Sequence, residues 1–333
     1  MRDLARAGLA AFVLVACATT TPPKTDPVPP VTPDTKDATN TGAQTPPGTT
    51  APPRVDKAAE AKKLTEAGLA ALTQGDLATA ETELKESLVY DKSGAAFEGL
   101  ARIYLRRADP TRARAITEQW TDAQPLSRDA VRFRVRALLM SDRASDARSV
   151  IEVYLDKKPD DLGIKNLGAE VMVAQGLHQK AIRASAEVLK ADETNVGAMR
   201  NIARAYLALG KTELALFVIA QGLDVAKDPI LNYLRGLIFI KQEKWLLAEA
   251  ALQESLLAAP QFAEALNNLG LVYQQVGDYG SAVETLQKAT RAAPGYRAAF
   301  LNLGNAYRGR KEFIKARASY ERALAIDQEF SDA

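Results

Sequence analysis

The 333-residue sequence contains one cysteine and one histidine, and each scarcity closes off chemistry. A lone cysteine, Cys17, excludes a disulfide framework and any cysteine-cluster metal site. A lone histidine, His178, excludes HExxH zinc chemistry and leaves little for a Ser–His–acid triad. Charge of one sign is lacking too. The 43 basic side chains are balanced by 41 acidic ones, so a net charge of +2 gives no general case for nucleic acid. There is no Gly-rich phosphate loop, no GxSxG and no paired-cysteine motif. Carboxylates are plentiful but fall mostly at exposed helix positions, and no pair of them stands out. These absences predict a non-enzymatic protein with no metal and no cofactor.

Proline is scarce except at one end: ten of the sixteen lie between Pro22 and Pro53, so the chain is not one homogeneous domain. Residues 1–16 read as a signal peptide. Arg2 and Arg6 precede an apolar run, Ala7–Ala16, that is too short to span a bilayer. The run ends Leu14-Val15-Ala16-Cys17, which resembles a bacterial lipobox. The resemblance implies cleavage before Cys17 and acylation of its thiol and amine, and several acyl chains suffice for stable anchoring. Ala18 rather than Asp follows, a pattern that implies the outer membrane, with the protein facing the periplasm. Residues 17–56 read as the lipidated cysteine and a tether. Between 18 and 55 there are ten Pro and eleven Thr with almost no large apolar side chain, too little to offset chain entropy. Disorder with extended polyproline character follows, reaching on the order of 100 Å at about 3.1 Å per residue. Such a stretch serves as a spacer or, alternatively, as a glycosylated or wall-threading stalk.

From Lys57 the composition turns to Ala, Leu, Arg and Glu, with apolar residues at helical spacing. Ala80, Ala113, Ala147, Ala181, Ala215, Ala248, Ala282 and Ala316 recur every 33 or 34 residues. The clearest copy, residues 263–296, carries Leu269-Gly270, Tyr273, Gly277, Ala282, Leu286, Ala289 and Pro294. The next has Leu303-Gly304, Tyr307, Ala316, Tyr320 and Ala323. This pattern resembles the tetratricopeptide repeat. Copies start near 61, 94, 128, 162, 196, 229, 263 and 297 and occupy residues 57–333; those at 128 and 162 are weakest, with Val135 and Ala169 in the glycine slot.

The resemblance implies an all-α, right-handed superhelical solenoid of about eight helix pairs with a concave groove. A small eighth residue lets the second helix approach the first, and Ala at the twentieth marks the closest crossing. Pro125, Pro159, Pro260 and Pro294 end second helices, and Asp109-Pro110 starts one. His178 shares a slot with Leu77, Trp245, Tyr279 and Phe313 and reads as a packing ring; Trp120 reads as core.

In arrays of this type positions 2, 5, 6, 9, 12 and 13 of each first helix face the groove. Mapped here, they supply a basic zone: Arg102, Arg106, Arg132, Arg136, Arg200 and Arg204. Residues 102–148 hold eleven Arg against six acids, which suits carboxylate or phosphate contacts or merely solvates a long helical surface. Asn201, Asn268 and Asn302, with Asn267 and Asn305 beside them, form an amide zone. In related arrays such amides hold an extended peptide backbone; the alternative is that Asn is simply common at this position. Tyr233, Leu234, Leu237 and Ile240 form an apolar step between the zones, suited to a partner helix if exposed. The last pair is expected to leave Tyr320, Leu324 and Phe330 without a following repeat, inviting fraying or self-association.

The resemblance extends to outer-membrane tetratricopeptide lipoproteins that help assemble type IV pilus or gliding-motility machines. Related alternatives are adaptors that dock peptidoglycan-processing enzymes, and periplasmic receptors for anionic peptides or wall fragments. Partners are expected to be envelope proteins or peptides, not nucleic acid.

Overall fold

The computed structural model describes residues 56–331, apart from 108, with side chains as far as 326. The signal segment, Cys17, the tether and the Phe330 side chain lie outside the described residues. Eight helix pairs follow one another: α1 (Lys57–Gln74) with α2 (Leu77–Tyr90), α3 (Gly94–Arg106) with α4 (Pro110–Ala123), α5 (Arg128–Met140) with α6 (Ala144–Lys157), and α7 (Leu162–Ala174) with α8 (His178–Ala191). The second half continues with α9 (Val196–Ala208) and α10 (Thr212–Val225), α11 (Pro229–Lys241) and α12 (Trp245–Ala258), α13 (Ala263–Gln275) and α14 (Tyr279–Ala292), and α15 (Arg297–Gly309) and α16 (Phe313–Ser331). Each pair coincides with one repeat copy, and among the described residues there is no strand.

The helix ends follow from local chemistry. The Asp56, Asp76, Asp161, Asp228 and Asp278 side chains accept backbone N–H bonds at helix starts, removing otherwise orphaned donors. Asp109 does the same, taking the Arg112 N–H at 2.9 Å with Pro110 at the first helical position. Helices α4, α6, α12 and α14 each stop two residues before Pro125, Pro159, Pro260 and Pro294, as the sequence predicts.

Packing within a pair is set by small residues. Seven of the twentieth-position alanines are fully buried, and Ala316 is 3% exposed. At the eighth position a Cβ on Gly270 would lie 2.5 Å from Leu286 Cγ, and one on Gly236 2.8 Å from Leu252 Cγ. Glycine therefore gives the leucine its seat. Gly304 is covered by the ring of Tyr320, whose hydroxyl donates to Asn305 Oδ1 at 2.8 Å. Tyr320, with no following repeat among the described residues, thus packs within its own pair. Leu324 does remain 60% exposed.

Between pairs, every odd helix touches the next odd helix and each even helix touches the following odd one. No even helix touches another among the described residues. The odd helices thus form a continuous inner layer, while the even helices splay outward, so the odd-helix face is the concave one. Helix α5 shows how the core is passed along. Ala130, Phe133 and Ala137 pack toward α3 and α4, whereas Val131, Val135 and Leu138 pack toward α6 and α7. Trp120 is core, stacked on Phe97 at 6.2 Å and tilted against Phe133 at 5.7 Å. The fourth pair is the thin point: Ala169, Ala181 and Ser185 are all small and fully buried, and the Ser185 hydroxyl has no partner. His178 opens α8, half-buried, with Nδ1 buried and unbonded.

Candidate binding groove

The basic zone divides into two parts. Arg102, Arg106, Arg132 and Arg136 converge on one open cleft of about 620 Å³ between α3 and α5, together with Leu105, Phe133, Leu139 and Met140. Helical spacing explains this convergence. Arg102 and Arg106 lie four apart on α3, and Arg132 and Arg136 four apart on α5, so each pair shares a face. Arg102 is held by Glu98 at 2.6 Å and lies over the Phe133 ring at 5.9 Å. Arg132 is held by Asp129 at 2.6 Å. Arg106 and Arg136 are exposed and make no ion pair among the described residues.

Arg200 and Arg204 stand apart from that cleft. Arg200 lies 3.6 Å from Asp228 and Arg204 3.4 Å from Glu170, so an acid from a neighbouring pair balances each. Helix position alone assigned all six arginines to one zone. Acids on the adjacent repeats decide which stay open.

The amide zone is committed to the array itself. Asn201 is buried and donates Nδ2 to the Asn166 carbonyl at 2.9 Å and to Asn166 Oδ1 at 3.0 Å. Asn302 donates to Asn267 Oδ1 at 2.8 Å, and Asn267 is buried. Asn268 donates to its own helix at the Glu264 carbonyl, 2.9 Å, and to the Tyr233 hydroxyl at 3.3 Å. Each of these three asparagines reaches a residue 35 positions earlier, so the amides stitch one odd helix to the preceding one. Asn305 accepts from Tyr320.

The apolar step is a correction. Tyr233 is 8% and Leu234 6% exposed, both within the core around α9 to α13, and Tyr233 packs on Phe262 at 4.9 Å. Leu237 and Ile240 are half-buried against the same core. The step fills the interior because the next odd helix closes over it. Burial pushes the Tyr233 hydroxyl pKa well up, helped by nearby Tyr296 and Glu264. Tyr296 rises to about 12, from burial and then from the charge of Glu264. Both hydroxyls stay protonated donors at neutral pH.

Position analysis missed the cleft's apolar floor. Phe133, Leu139 and Met140 occupy positions 6, 12 and 13 of the same copy that supplies Arg132 and Arg136, so the signal was present in the same register. Among the described residues no group of three or more His, Cys, Asp or Glu is placed to hold a metal ion. Nor is any helix there long and apolar enough to cross a membrane.

Stacked helix pairs sharing one continuous inner face define an α-solenoid of the repeat-scaffold class. Tetratricopeptide-repeat profiles match residues 65–124, 98–161 and 233–275, residues 172–238, and residues 261–329, together more than half of the chain. The chain belongs to the tetratricopeptide-repeat proteins, a group that mediates protein–protein interaction. Among solved structures, a tetratricopeptide repeat protein from Parabacteroides merdae ATCC 43184 is similar with TM-score 0.57 and 15% identity, over 74% of this chain and 99% of that one. The APC/C hetero-tetramer Cut9-Hcn1 gives TM-score 0.57 at 19% identity, over 75% of this chain and 49% of that one. MamA gives TM-score 0.44 at 25% identity, over 50% of this chain and 97% of that one. No curated protein matches the sequence.

Proposed function

We propose that this protein is a lipid-anchored, non-enzymatic scaffold of a bacterial outer membrane. Its groove faces the periplasm and holds subunits of a type IV pilus or gliding-motility machine during assembly. One observation carries the reading. The alanine at the closest helix crossing recurs in every pair, whereas the groove positions change in chemistry along the array. The twentieth-position alanine is buried throughout. At position nine the array instead presents Leu69, Arg102, Arg136, Glu170, Arg204, Leu237, Leu271 and Asn305. A uniform frame with a varied inner face is what recognition of a specific extended partner requires. The lipobox ending in Cys17 and the Pro/Thr-rich segment after it support an anchored array held away from its membrane.

The test is affinity capture of the full-length acylated protein from crosslinked envelope membranes, beside a Cys17→Ser version. Recovery of secretin or motility subunits, with loss of membrane association in Cys17→Ser, is the expected result. Recovery of wall-cutting or wall-building enzymes alone would replace the machine reading with the adaptor one. A Cys17→Ser protein that still carries lipid and fractionates with the outer membrane would sink the anchor.

A further inference from the structure

We infer that the cleft between α3 and α5 is a recognition site for an acidic peptide segment that sets an apolar side chain between two carboxylates. The inference rests on the groove reading above and names the site and chemistry within it.

Four arginines line this cleft, and two acids, Glu98 and Asp129, are paired within their own helices to Arg102 and Arg132. The local balance is therefore four cations less two anions, an excess of two, carried by the exposed and unpaired Arg106 and Arg136. The two held arginines are positioned rather than free: Glu98 and the Phe133 ring fix Arg102, and Asp129 fixes Arg132. The open pair sits one on each helix, on either side of a floor made by Leu105, Phe133, Leu139 and Met140. The side chain of Met140 is 37% exposed, and an unbranched thioether adapts to an incoming apolar group.

Neighbouring repeats delimit the site. At the equivalent ninth position the fourth pair carries Glu170, which already holds Arg204 at 3.4 Å. On the other side the first pair carries Leu69 and Thr73 at positions nine and thirteen. Lys241 and Arg308, exposed and without an ion pair at positions thirteen and twelve of the sixth and eighth copies, stand singly; among the described residues two such cations face each other on adjacent odd helices where α3 meets α5. Guanidinium groups match carboxylates in a two-pronged geometry, and the apolar floor has no use for a bare phosphate. A peptide with acid–apolar–acid character satisfies both features.

The probe is a short fluorescein-labelled peptide with two glutamates flanking a leucine, titrated against the full chain and followed by anisotropy. The expected result is saturable binding that weakens about tenfold or more in the double variant Arg106→Glu/Arg136→Glu, as charge-assisted contacts require. Binding should also weaken when the glutamates become glutamine, when the leucine becomes glycine, and when salt is raised. Both substituted arginines are exposed and unpaired, so circular dichroism and the denaturation midpoint should not move. Equal binding by the double variant, or by the glutamine peptide, overturns the assignment. So does displacement by short polyphosphate together with indifference to the leucine, which would make the cleft a simple anion sink. If the peptide fails to bind while envelope partners are still captured, the groove reading stands and only this assignment falls.

Discussion

Two kinds of helix pair coexist in one array. Pairs one, six, seven and eight place Gly68, Gly236, Gly270 and Gly304 against the large residues Leu84, Leu252, Leu286 and Tyr320. Pairs two to five carry Ala101, Val135, Ala169 and Ala203 in that slot, with Thr117, Ile151, Ser185 and Ile219 in the partner position. The glycine pairs are the more intimately packed. A helix pair packs most closely where glycine seats a large side chain; a Cβ in the eighth position loosens the pair even when the partner is as small as Ser185. Packing is also separate from recognition. The arginine cleft lies between pairs two and three, where the glycine pattern is absent, while the amide stitches of Asn268 and Asn302 lie among the glycine pairs.

Exchanging the two solutions should break both. Gly270→Val would force a Cβ to within 2.5 Å of Leu286 Cγ, an overpacking that costs about 2–3 kcal/mol. Val135→Gly would leave a cavity at a fully buried site and place glycine in a helix interior, costing about 3 kcal/mol. Denaturant midpoints should fall in both variants, and Leu286→Ala should restore part of the loss in Gly270→Val. A midpoint that stays put in either single variant would show that the eighth position is not matched pair by pair.

A smaller, pH-dependent effect belongs to the junction of pairs one and two. Glu81 on α2 accepts hydrogen bonds from Lys85 at 2.6 Å, from the Tyr104 hydroxyl at 3.0 Å and from Arg107. Partial burial pushes its pKa up, but these bonds and the Lys85 charge outweigh that and bring it from 4.5 to about 2. A depressed carboxylate pKa contributes stability that is present above 4.5 and lost as pH falls toward 2. Amide protection of α1 to α3, corrected for the intrinsic exchange rate at each pH, should therefore fall over that interval, and Glu81→Gln should flatten the dependence. A Glu81→Gln protein with the same acid profile as the parent would deny the contact this role.

The frame was legible in the sequence because it rests on local, periodic signals. The alanine period, the prolines and Asp109-Pro110 put helix pairs in place without any long-range information. The groove was legible only as a register. Which arginines remain open depends on Asp228 and Glu170, residues one repeat away that pair with Arg200 and Arg204. The apolar step failed for a related reason. Position five or six faces the groove in an isolated pair, but Tyr233 and Leu234 are covered once α13 docks. The asparagines, assigned outward by position, are drawn sideways by amides or hydroxyls on the preceding helix.

The smallest effect concerns the turn between the two helices of each pair. Gly75, Gly176, Gly210 and Gly277 adopt φ of 85°, 73°, 71° and 83° there, and Asp142, Glu243 and Lys311 occupy the equivalent place at 56°, 56° and 63°. A left-handed residue closes the turn in each of these seven pairs, and three of them do so with a side chain that crowds the following carbonyl. Replacing Glu243 or Lys311 with glycine relieves about 1 kcal/mol of that crowding, partly offset by the larger freedom glycine gains in the unfolded chain. A net gain of about 0.5 kcal/mol each is expected, read as a small rise in thermal midpoint. The reverse change offers a clean control. A Cβ at Gly210 or Gly277 would meet no neighbour within 4 Å, so Gly277→Ala reports backbone conformation alone and should cost about 1 kcal/mol. Asp142→Gly should gain least, since aspartate tolerates this conformation better than glutamate or lysine. If Gly277→Ala proves neutral while Glu243→Gly and Lys311→Gly destabilise, the turns relax out of the left-handed region at little cost, and the side chains there are retained for contacts instead.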